Sequence, residues 1–545
     1  MPNWEKFDAD VIKKTHGDIF YYRDLYEGKH SEIFPRAKNL IEQGEITDNI
    51  MYGTHHARNV QTPYIVANLC KLIPEIPAML VSRSIGNIVS SLSVDDFQAD
   101  EINADTDEIV DEPRDEISDI INVQQEIIDQ ITKNSNLTFE HWGNILQQQL
   151  DGGLVGVPWL DDRGLRLDFK ARDVYYPHDN GLGADLAYEI EIDGKEYLHV
   201  YREEVRCEYC PKGKIHKDDL HTKHILYRLN EQKKTEEVEE EEAKELLGMK
   251  ELEKVYPGRG RPFIIYWPNE KTFMNPLGSS CLKGQEGKQD EINWTLTRNA
   301  ITFERNGKPR IAVSKEIMRA LEDKAYERYG EEGRIDHRDL EITTFDDQGK
   351  ALEVIQIDVT KIGDIQWVKD LMKLMLMETK TSEKVVDFYM DNRSTGAQSG
   401  VAKFYDLFTS LVKAEQIQSE YIYFLQQLIE SALWLANFND DAVIIEEPEI
   451  LLKSMIPISR KELIEENNLA YTDKTQSLET TIRRNNPNAS EEWIQEELYR
   501  VEAERSNDDS YSLLNGRQTL QQMFGNRDEE GNPIERDDSN EEEFD

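Results

Sequence analysis

The 545-residue chain carries 108 Asp and Glu against 64 Lys and Arg, a formal net charge of -44. A single hydrophobic core stops growing at roughly 250–300 residues, so two or more domains are expected. The charge disfavours tight sequence-independent adhesion to nucleic acid, which is built from cation-to-phosphate contacts, so any DNA contact is expected to be local or weak. The same acidity suits a passage, because like-charge repulsion keeps a polyanion from sticking to a wall it slides along. Residues 63–81 lean apolar but are interrupted by Lys71, Pro74, Glu75 and Pro77. They fall short of the ~20 apolar residues a spanning helix needs, so no membrane helix is expected. The first eight residues lack a basic segment followed by an apolar core, so no secretory signal is expected and folding in a cytoplasm follows. Four scattered cysteines, Cys70, Cys207, Cys210 and Cys281, are too few for a disulfide scaffold and are expected to be reduced.

In chain order, residues 8–30 and 31–45 read as short amphipathic helices, a docking arm, followed by a loop at His55-His56. Residues 68–90 mix short apolar runs with prolines, and the acidic stretch 100–119 breaks all periodicity as a solvated linker would. Two helices follow, one with the stripe Ile120, Val123, Ile127, Ile128 and Ile131. The other carries Phe139, Trp142, Ile145, Leu146 and Leu150, and stops at Gly152-Gly153. The period then changes to strands at 154–160, 165–169, 187–192 and 197–202, with turns at Asp161 to Gly164 and at Asp193-Gly194, predicting an antiparallel sheet. Residues 203–260 read as an insertion on that sheet, closed by the acidic run 236–242, and 263–267 as a returning buried strand.

A helix is predicted over 279–303 from a Ser279 or Ser280 cap, with Leu282, Ile292, Leu296, Ala300 and Phe303 along one side. Residues 307–364 form a compact β module, with a strand at 310–313, a helix at 315–329 and a hairpin turning at 346–349. From Ile365 a Met-rich amphipathic helix puts Trp367, Leu371, Leu374, Met375 and Met377 on one stripe and Lys369, Lys373, Lys380 and Lys384 elsewhere. It runs into the loop Asn392, Arg393, Ser394, Thr395, Gly396, Ala397, Gln398, Ser399 and Gly400, whose glycines relax the backbone while its polar side chains stay uncommitted. Such a loop can touch a moving ligand without gripping it. A long helix over 401–437, a strand at 442–446 and helices around 460–467, 477–484 and 490–504 follow, and beyond 506 an acidic disordered tail is expected.

The sharpest candidate for chemistry is Cys207 and Cys210 followed by His216, His221 and His224, since thiolate and imidazole suit a tetrahedral zinc ion. Both gaps are shorter than in a common finger, and a β-hairpin carrying polar residues is the alternative. Gly284 to Gln289 fails the phosphate-loop pattern, because Leu282 stands where a glycine should lead and Gln289 where a Ser or Thr would hold magnesium. Gly396 to Gly400 is not a nucleophile elbow, and no pair of carboxylates stands out, so no enzyme is expected. Lys369, Lys373, Lys380, Lys384, Arg393 and Lys403 are the basic set in an acidic chain. They are either ordinary helix-surface lysines or cations facing a phosphate backbone, which would position DNA without reading its sequence.

The run from Gly152 to Phe169, the helix before the β module, the Met-rich helix after it, and Ser399-Gly-Val-Ala402 opening a long helix together resemble portal proteins of long-tailed phages, of the siphovirus type. Residues 443–447 and Met455-Ile-Pro-Ile-Ser459 before three short helices are also similar to that family, and the resemblance spans roughly residues 10–505. It implies an α+β portal fold of wing, stem, clip and crown, closing as a ring of about twelve copies around a DNA channel. Carried over, 1–278 is arm and wing, 279–306 and 365–390 are stem helices and 307–364 is the clip. Residues 391–400 become the tunnel loop, 401–454 wing, 455–505 crown and 506–545 the acidic tail. The 203–260 segment departs from the family's core.

The resemblance implies a virion protein at one capsid vertex, made in the host cytoplasm, through which double-stranded DNA is packaged and ejected. Its partners would be other copies of itself, a terminase, head-completion or adaptor proteins, and the major capsid and scaffolding proteins, with no membrane and no cofactor beyond a structural zinc. Stem packing would fall to Trp367, Leu371, Leu374 and Met375. Two other readings stand beside it: a zinc-dependent phage nuclease or other enzyme built on Cys207, Cys210, His221 and His224, and an acidic capsid or scaffold component without a channel.

Overall fold

A computed structural model of the chain describes residues 15–43, 64–93, 114–161, 164–208, 217–229, 235–306, 310–314, 319, 323, 341–345, 352–355, 365–382, 384, 400–440, 442–456, 460–486 and 493–501. It mixes helix and sheet, consistent with the expected α+β class. Two compact units are present, Met1–Met455 and Ile456–Asp545.

The first unit opens with α1 (Ile19–Glu27), α2 (His30–Ile33) and α3 (Pro35–Glu42). Gly28 ends α1 at φ 85°, a left-handed conformation that glycine adopts without strain, and Pro35 starts α3 where its missing N–H is not needed. Then come α4 (Leu72–Ser84), β1 (Ile85–Val89), α5 (Arg114–Asn134) and α6 (Leu137–Asp151). Helix α5 thus begins inside the stretch expected to be linker. The outward turn of the α6 aromatics also corrects the expected stripe: Phe139 and Trp142 are exposed, while Asn144, Gln148 and Gln149 are buried beside Ile145 and Leu150. Gln149 donates to Asn269 at 2.9 Å and to Gln148 Oε1 at 2.7 Å, whereas the amide nitrogens of Asn144 and Gln148 are buried without a partner among the described residues.

Strands β2 (Gly153–Asp161) and β3 (Gly164–Ala171) form the expected hairpin, and β2 also pairs with the later β10 (Ile265–Pro268), giving the order β10-β2-β3. A six-stranded sheet is built from β4 (Tyr175–Pro177), β5 (Gly183–Ile192), β6 (Lys195–Glu208), β7 (Lys217–Leu229) and β8 (Thr235–Glu237), with β9 (Glu253–Tyr256) on β7. Segment 203–260 is therefore no insertion on a finished sheet. Its β6–β7 hairpin is the sheet's centre, with Tyr197 to Glu208 paired rung by rung to Arg228 to Lys217. The acidic run after β8 starts α7 (Glu240–Leu247), whose first turn holds Glu240, Glu241 and Glu242 against the positive end of the helix dipole. The returning strand is β10 (Ile265–Pro268).

Helix α8 (Glu286–Asn306) begins seven residues after the expected Ser279 cap. Ser280 Oγ instead accepts from Leu282 N at 3.2 Å in a turn, and Gly284 at φ 88° would interrupt any earlier helix. The module beyond it holds β11 (Arg310–Ser314), β12 (Glu341–Phe345) and β13 (Leu352–Ile355). The expected hairpin at 346–349 is corrected by their order, β12-β11-β13: β11 sits between the other two, parallel to β12 and antiparallel to β13. Helix α9 (Ile365–Glu378) leaves the module, and α10 (Gly400–Asn437) follows. The last strand is β14 (Glu449–Leu452), pairing with β1, rather than 442–446. Gln124 of α5 instead takes both backbone groups of Ile444, donating to its carbonyl at 2.8 Å and accepting from its N–H at 3.2 Å, while Ser90, Ser91 and Gln124 donate to the Glu446 side chain.

Helix α10 is the spine of this unit. Tyr421, Leu425, Leu428, Ile429, Ala432 and Leu433 are fully buried, and Gly156 lets the helix approach β2, since a Cβ there would meet Leu428 Cδ1 at 2.4 Å. A second core joins the arm to α8 and α9 through Tyr22, Leu25, Phe34, Tyr64, Leu282, Ile292, Val368, Leu371 and Met375. Its polar side is a ladder. Gln289 Oε1, Asn293 Oδ1 and Thr297 Oγ1 of α8 accept from the backbone N–H groups of Leu69, Ala67 and Ile65. Four helical residues rise about 6 Å and two extended residues about 6.6 Å, so acceptors every fourth position match donors at every second.

The second unit contains α11 (Arg460–Thr472), α12 (Leu478–Asn485) and a helix over 493–501. Ser477 caps α12 by accepting from Thr480 N at 3.2 Å.

Candidate nucleic-acid interface

Helices α8 and α9 lie side by side and bracket the β12-β11-β13 module in sequence. Their contact is apolar in the middle and ionic at one end, where Lys288 Nζ meets Glu378 Oε2 at 2.7 Å and Gln285 donates to the same oxygen at 3.1 Å. Those two hydrogen bonds, Lys288's first, hold the Glu378 carboxyl below its ordinary range.

The buried stripe of α9 is Val368, Leu371, Met375 and Leu376. At 100° per residue this divides the expected Met-rich stripe. Leu371 and Met375, 1% exposed in the latter case, turn into the chain's own core, whereas Trp367 at 41% and Leu374 at 40% stand seven residues apart on one shoulder. Lys369 and Lys373, both exposed, stand on the other shoulder, and Met377 at 69% faces outward between the two. The four residues expected to pack the stem thus split into an inner pair and an outer pair.

The expected helix over 365–390 is corrected too. It ends at Glu378, because Lys380 takes φ 54° and Thr381 N reaches back to Leu376 O at 2.8 Å, closing the last turn. Helix α10 holds that turn in place. Lys413 Nζ donates to Thr379 O at 3.1 Å and Ser382 N donates to Ser410 Oγ at 2.7 Å. The Lys413 side chain is half-buried, and burial lowers its pKa. Sequence reading passed over Ser410 and Lys413, since a lysine after Leu411 and Val412 looks like any helix-surface cation. Lys380 and Lys384 are exposed. Asn392, Arg393, Ser394, Thr395, Gly396, Ala397, Gln398 and Ser399 lie outside the described residues, Gly400 is the first residue of α10, and Lys403 stands in its first turn. Further along the amino half of α10, Tyr405, Phe408 and Val412 form an exposed apolar row at three- and four-residue steps.

Of the expected zinc ligands, the two described histidines, His221 and His224, do not share a face of the sheet. Cys210 and His216 lie outside the described residues, and Cys207 stands opposite Asp218 on the ladder. His221 is opposite Glu204 and His224 opposite Tyr201, three residues apart on one strand, so the two imidazoles leave opposite faces of the sheet. His224 Nδ1 meets His199 Nε2 at 3.0 Å with the rings stacked, against Trp159 and Tyr201. Burial lowers both histidines to about 4 and keeps them neutral at pH 7. His199, which sequence reading missed, shares a strand face with Tyr197 and Tyr201, and no residue pattern sets it apart there.

No protein-family model matches the chain, and no curated protein matches it.

Proposed function

We propose that the chain is a portal subunit: it assembles with copies of itself into a ring at one capsid vertex, and double-stranded DNA is packaged and ejected through the bore. The observation that carries this reading is the paired helices α8 and α9, which enter and leave one small three-stranded module. On α9 they display cations at one shoulder and Trp367 with Leu374 at the other. A stave built this way has a reason for each surface. Apolar shoulders bury one another at head-to-tail contacts that close a ring, and lysines facing a bore touch phosphates singly and are salt-screened, weak enough to let go as the duplex advances. The acidic remainder of the chain repels the polyanion elsewhere.

On this reading the α8 and α9 pair is the stem, the β module the clip, the 391–400 segment the tunnel loop, and residues 455–505 the crown. A terminase docks on the clip and supplies ATP hydrolysis, head-completion or adaptor proteins replace it later, and capsid and scaffolding proteins meet the outer surface. Negative-stain imaging of the purified full-length chain tests the proposal. Rings with a central hole are expected, and solid or single-copy particles under every assembly condition would contradict it.

A further inference from the structure

Strand β14 pairs with β1 alone, and a sheet of two strands is marginal unless something completes it. The outer edge of β1 is closed: Gln125 of α5 donates to Ile88 O at 3.0 Å and accepts from Ser90 N at 2.8 Å. The outer edge of β14 is open among the described residues. Lys453 N donates inward to Ser84 O at 2.7 Å, and Leu451 O lies where a Cβ on Gly86 would meet it at 2.5 Å, so residues 451 and 453 turn their backbone groups toward β1. Backbone groups alternate along a strand, so those of Ile450 and Leu452 point away from β1, and no described residue bonds them there. Leu451 and Leu452 are 46% and 54% exposed on this strand. An open apolar edge is a template for another strand.

The segment Glu449-Ile-Leu-Leu-Lys453 is complementary in charge to its own reverse. Laid antiparallel about Leu451, Ile450 of one copy faces Leu452 of the other, so the groups left open on each strand exchange their bonds, and Leu451 meets Leu451 in the closer, unbonded couple. Glu449 then stands opposite Lys453 at both ends, on the face that carries Leu451. Neither side chain has an ion-pair partner among the described residues. Other registers fit less well. Parallel pairing sets Glu449 against Glu449 and Lys453 against Lys453. Centring on Ile450 places Pro448 opposite Leu452, yet Pro448 has no N–H and its carbonyl already accepts from Gln426 at 2.9 Å. Centring on Leu452 places Glu449 opposite Met455, which offers no cation.

We infer that the β14 edge of one copy pairs antiparallel with the β14 edge of a second, extending the sheet to β1-β14-β14-β1 across a twofold axis at Leu451. A twofold contact uses one surface twice, whereas ring closure uses two different surfaces, so this contact joins two chains and neither needs nor excludes the ring. It is small, and it brings together chains of net charge -44. It is therefore expected at high protein concentration and physiological salt, where the Debye length is about 8 Å.

A single cysteine on the axis tests the pairing. In the full-length chain carrying Cys207→Ser and Cys210→Ser, Leu451→Cys under copper-catalysed air oxidation is expected to give a covalent dimer on a denaturing gel and nothing larger. Leu182→Cys, similarly exposed elsewhere, controls for random collision and is expected to stay single. Adding Glu449→Lys or Lys453→Glu to Leu451→Cys is expected to slow dimer formation about tenfold, and both together to restore it. No dimer from Leu451→Cys, equal rates from the two cysteine variants, reversals without effect, or a double reversal as slow as the singles would each overturn the pairing. Slow hydrogen exchange at the Ile450 and Leu452 amides in dilute solution would overturn it too, by showing the edge already covered within one chain. A denaturing gel counts only covalent bonds, so it reads this contact whether or not rings form.

Discussion

The division of α9 into an inner and an outer apolar set makes a sharp prediction about two adjacent residues. Met375 is 1% exposed, in the core shared by the arm, α8 and α9, so Met375→Ala removes buried atoms and leaves a cavity. That costs about 2–5 kcal/mol. Leu374 is 40% exposed on the shoulder, and Leu374→Asp is expected to change the stability of the dissociated chain by less than about 0.5 kcal/mol, as surface substitutions do. In the proposed ring the same change would set an unpaired carboxylate into an apolar contact, at a cost of several kcal/mol per interface. Urea unfolding followed by circular dichroism, at protein concentrations below assembly, reads the first quantity, and native mass measurement reads the second. Met375→Ala is expected to fall in midpoint and Leu374→Asp to hold its midpoint while losing its multimers. A Met375→Ala change under 0.5 kcal/mol, or a Leu374→Asp chain that assembles normally, would refute the assignment of faces.

Three further outcomes follow. Glu203 is buried, accepting from Tyr201 Oη at 2.6 Å and Ile264 N at 2.9 Å, yet burial pushes its pKa up to about 7. Because the folded state holds that proton more tightly than the unfolded chain, stability is full below the ordinary carboxylate range near 4.5 and is lost as pH rises through 7. Glu203→Gln is expected to flatten the pH dependence, although its amide nitrogen cannot accept from Ile264 N and so offsets the gain at pH 8 by about 1–3 kcal/mol, and an unchanged slope would count against the burial argument. On the central hairpin, His224→Ala is expected to cost about 1–3 kcal/mol, since it leaves His199 short of a buried partner. His221→Ala, on the opposite face, is expected to cost under about 0.5 kcal/mol, and equal effects would reverse the reading of the sheet's faces. Charge reversal at Lys369 and Lys373 is expected to leave rings intact while reducing packaged DNA, measured by nuclease protection; normal packaging would remove the lysines from the bore.

Much of the fold was legible where periodicity alone decides. The 401–437 helix appears as α10 (Gly400–Asn437), because its apolar surface is too wide for anything but a core helix. The Asp193-Gly194 turn was legible because both residues must take positive φ, 52° and 73°, which few side chains allow. What misled was competition from partners distant in sequence. Ser279 and Ser280 look like caps, but Asn269 claims the Ser279 backbone and Gly284 delays α8. Residues 442–446 have strand composition, yet the Gln124 side chain takes both backbone groups of Ile444 in place of a neighbouring strand. In α6 the core amides face inward and the aromatics outward, an inversion that hydrophobicity cannot signal. At the candidate interface Lys369, Lys373, Lys380 and Lys384 are exposed, but the 100° geometry that separates Met375 from Leu374 depends on which neighbour α9 packs against.

The central claim is closure of many copies around a bore, and native mass spectrometry of the purified full-length chain tests it most directly. A single species near twelve times the 63.4 kDa chain, about 760 kDa, is the result expected. A stable 63.4 kDa species at every concentration and salt condition would contradict the account.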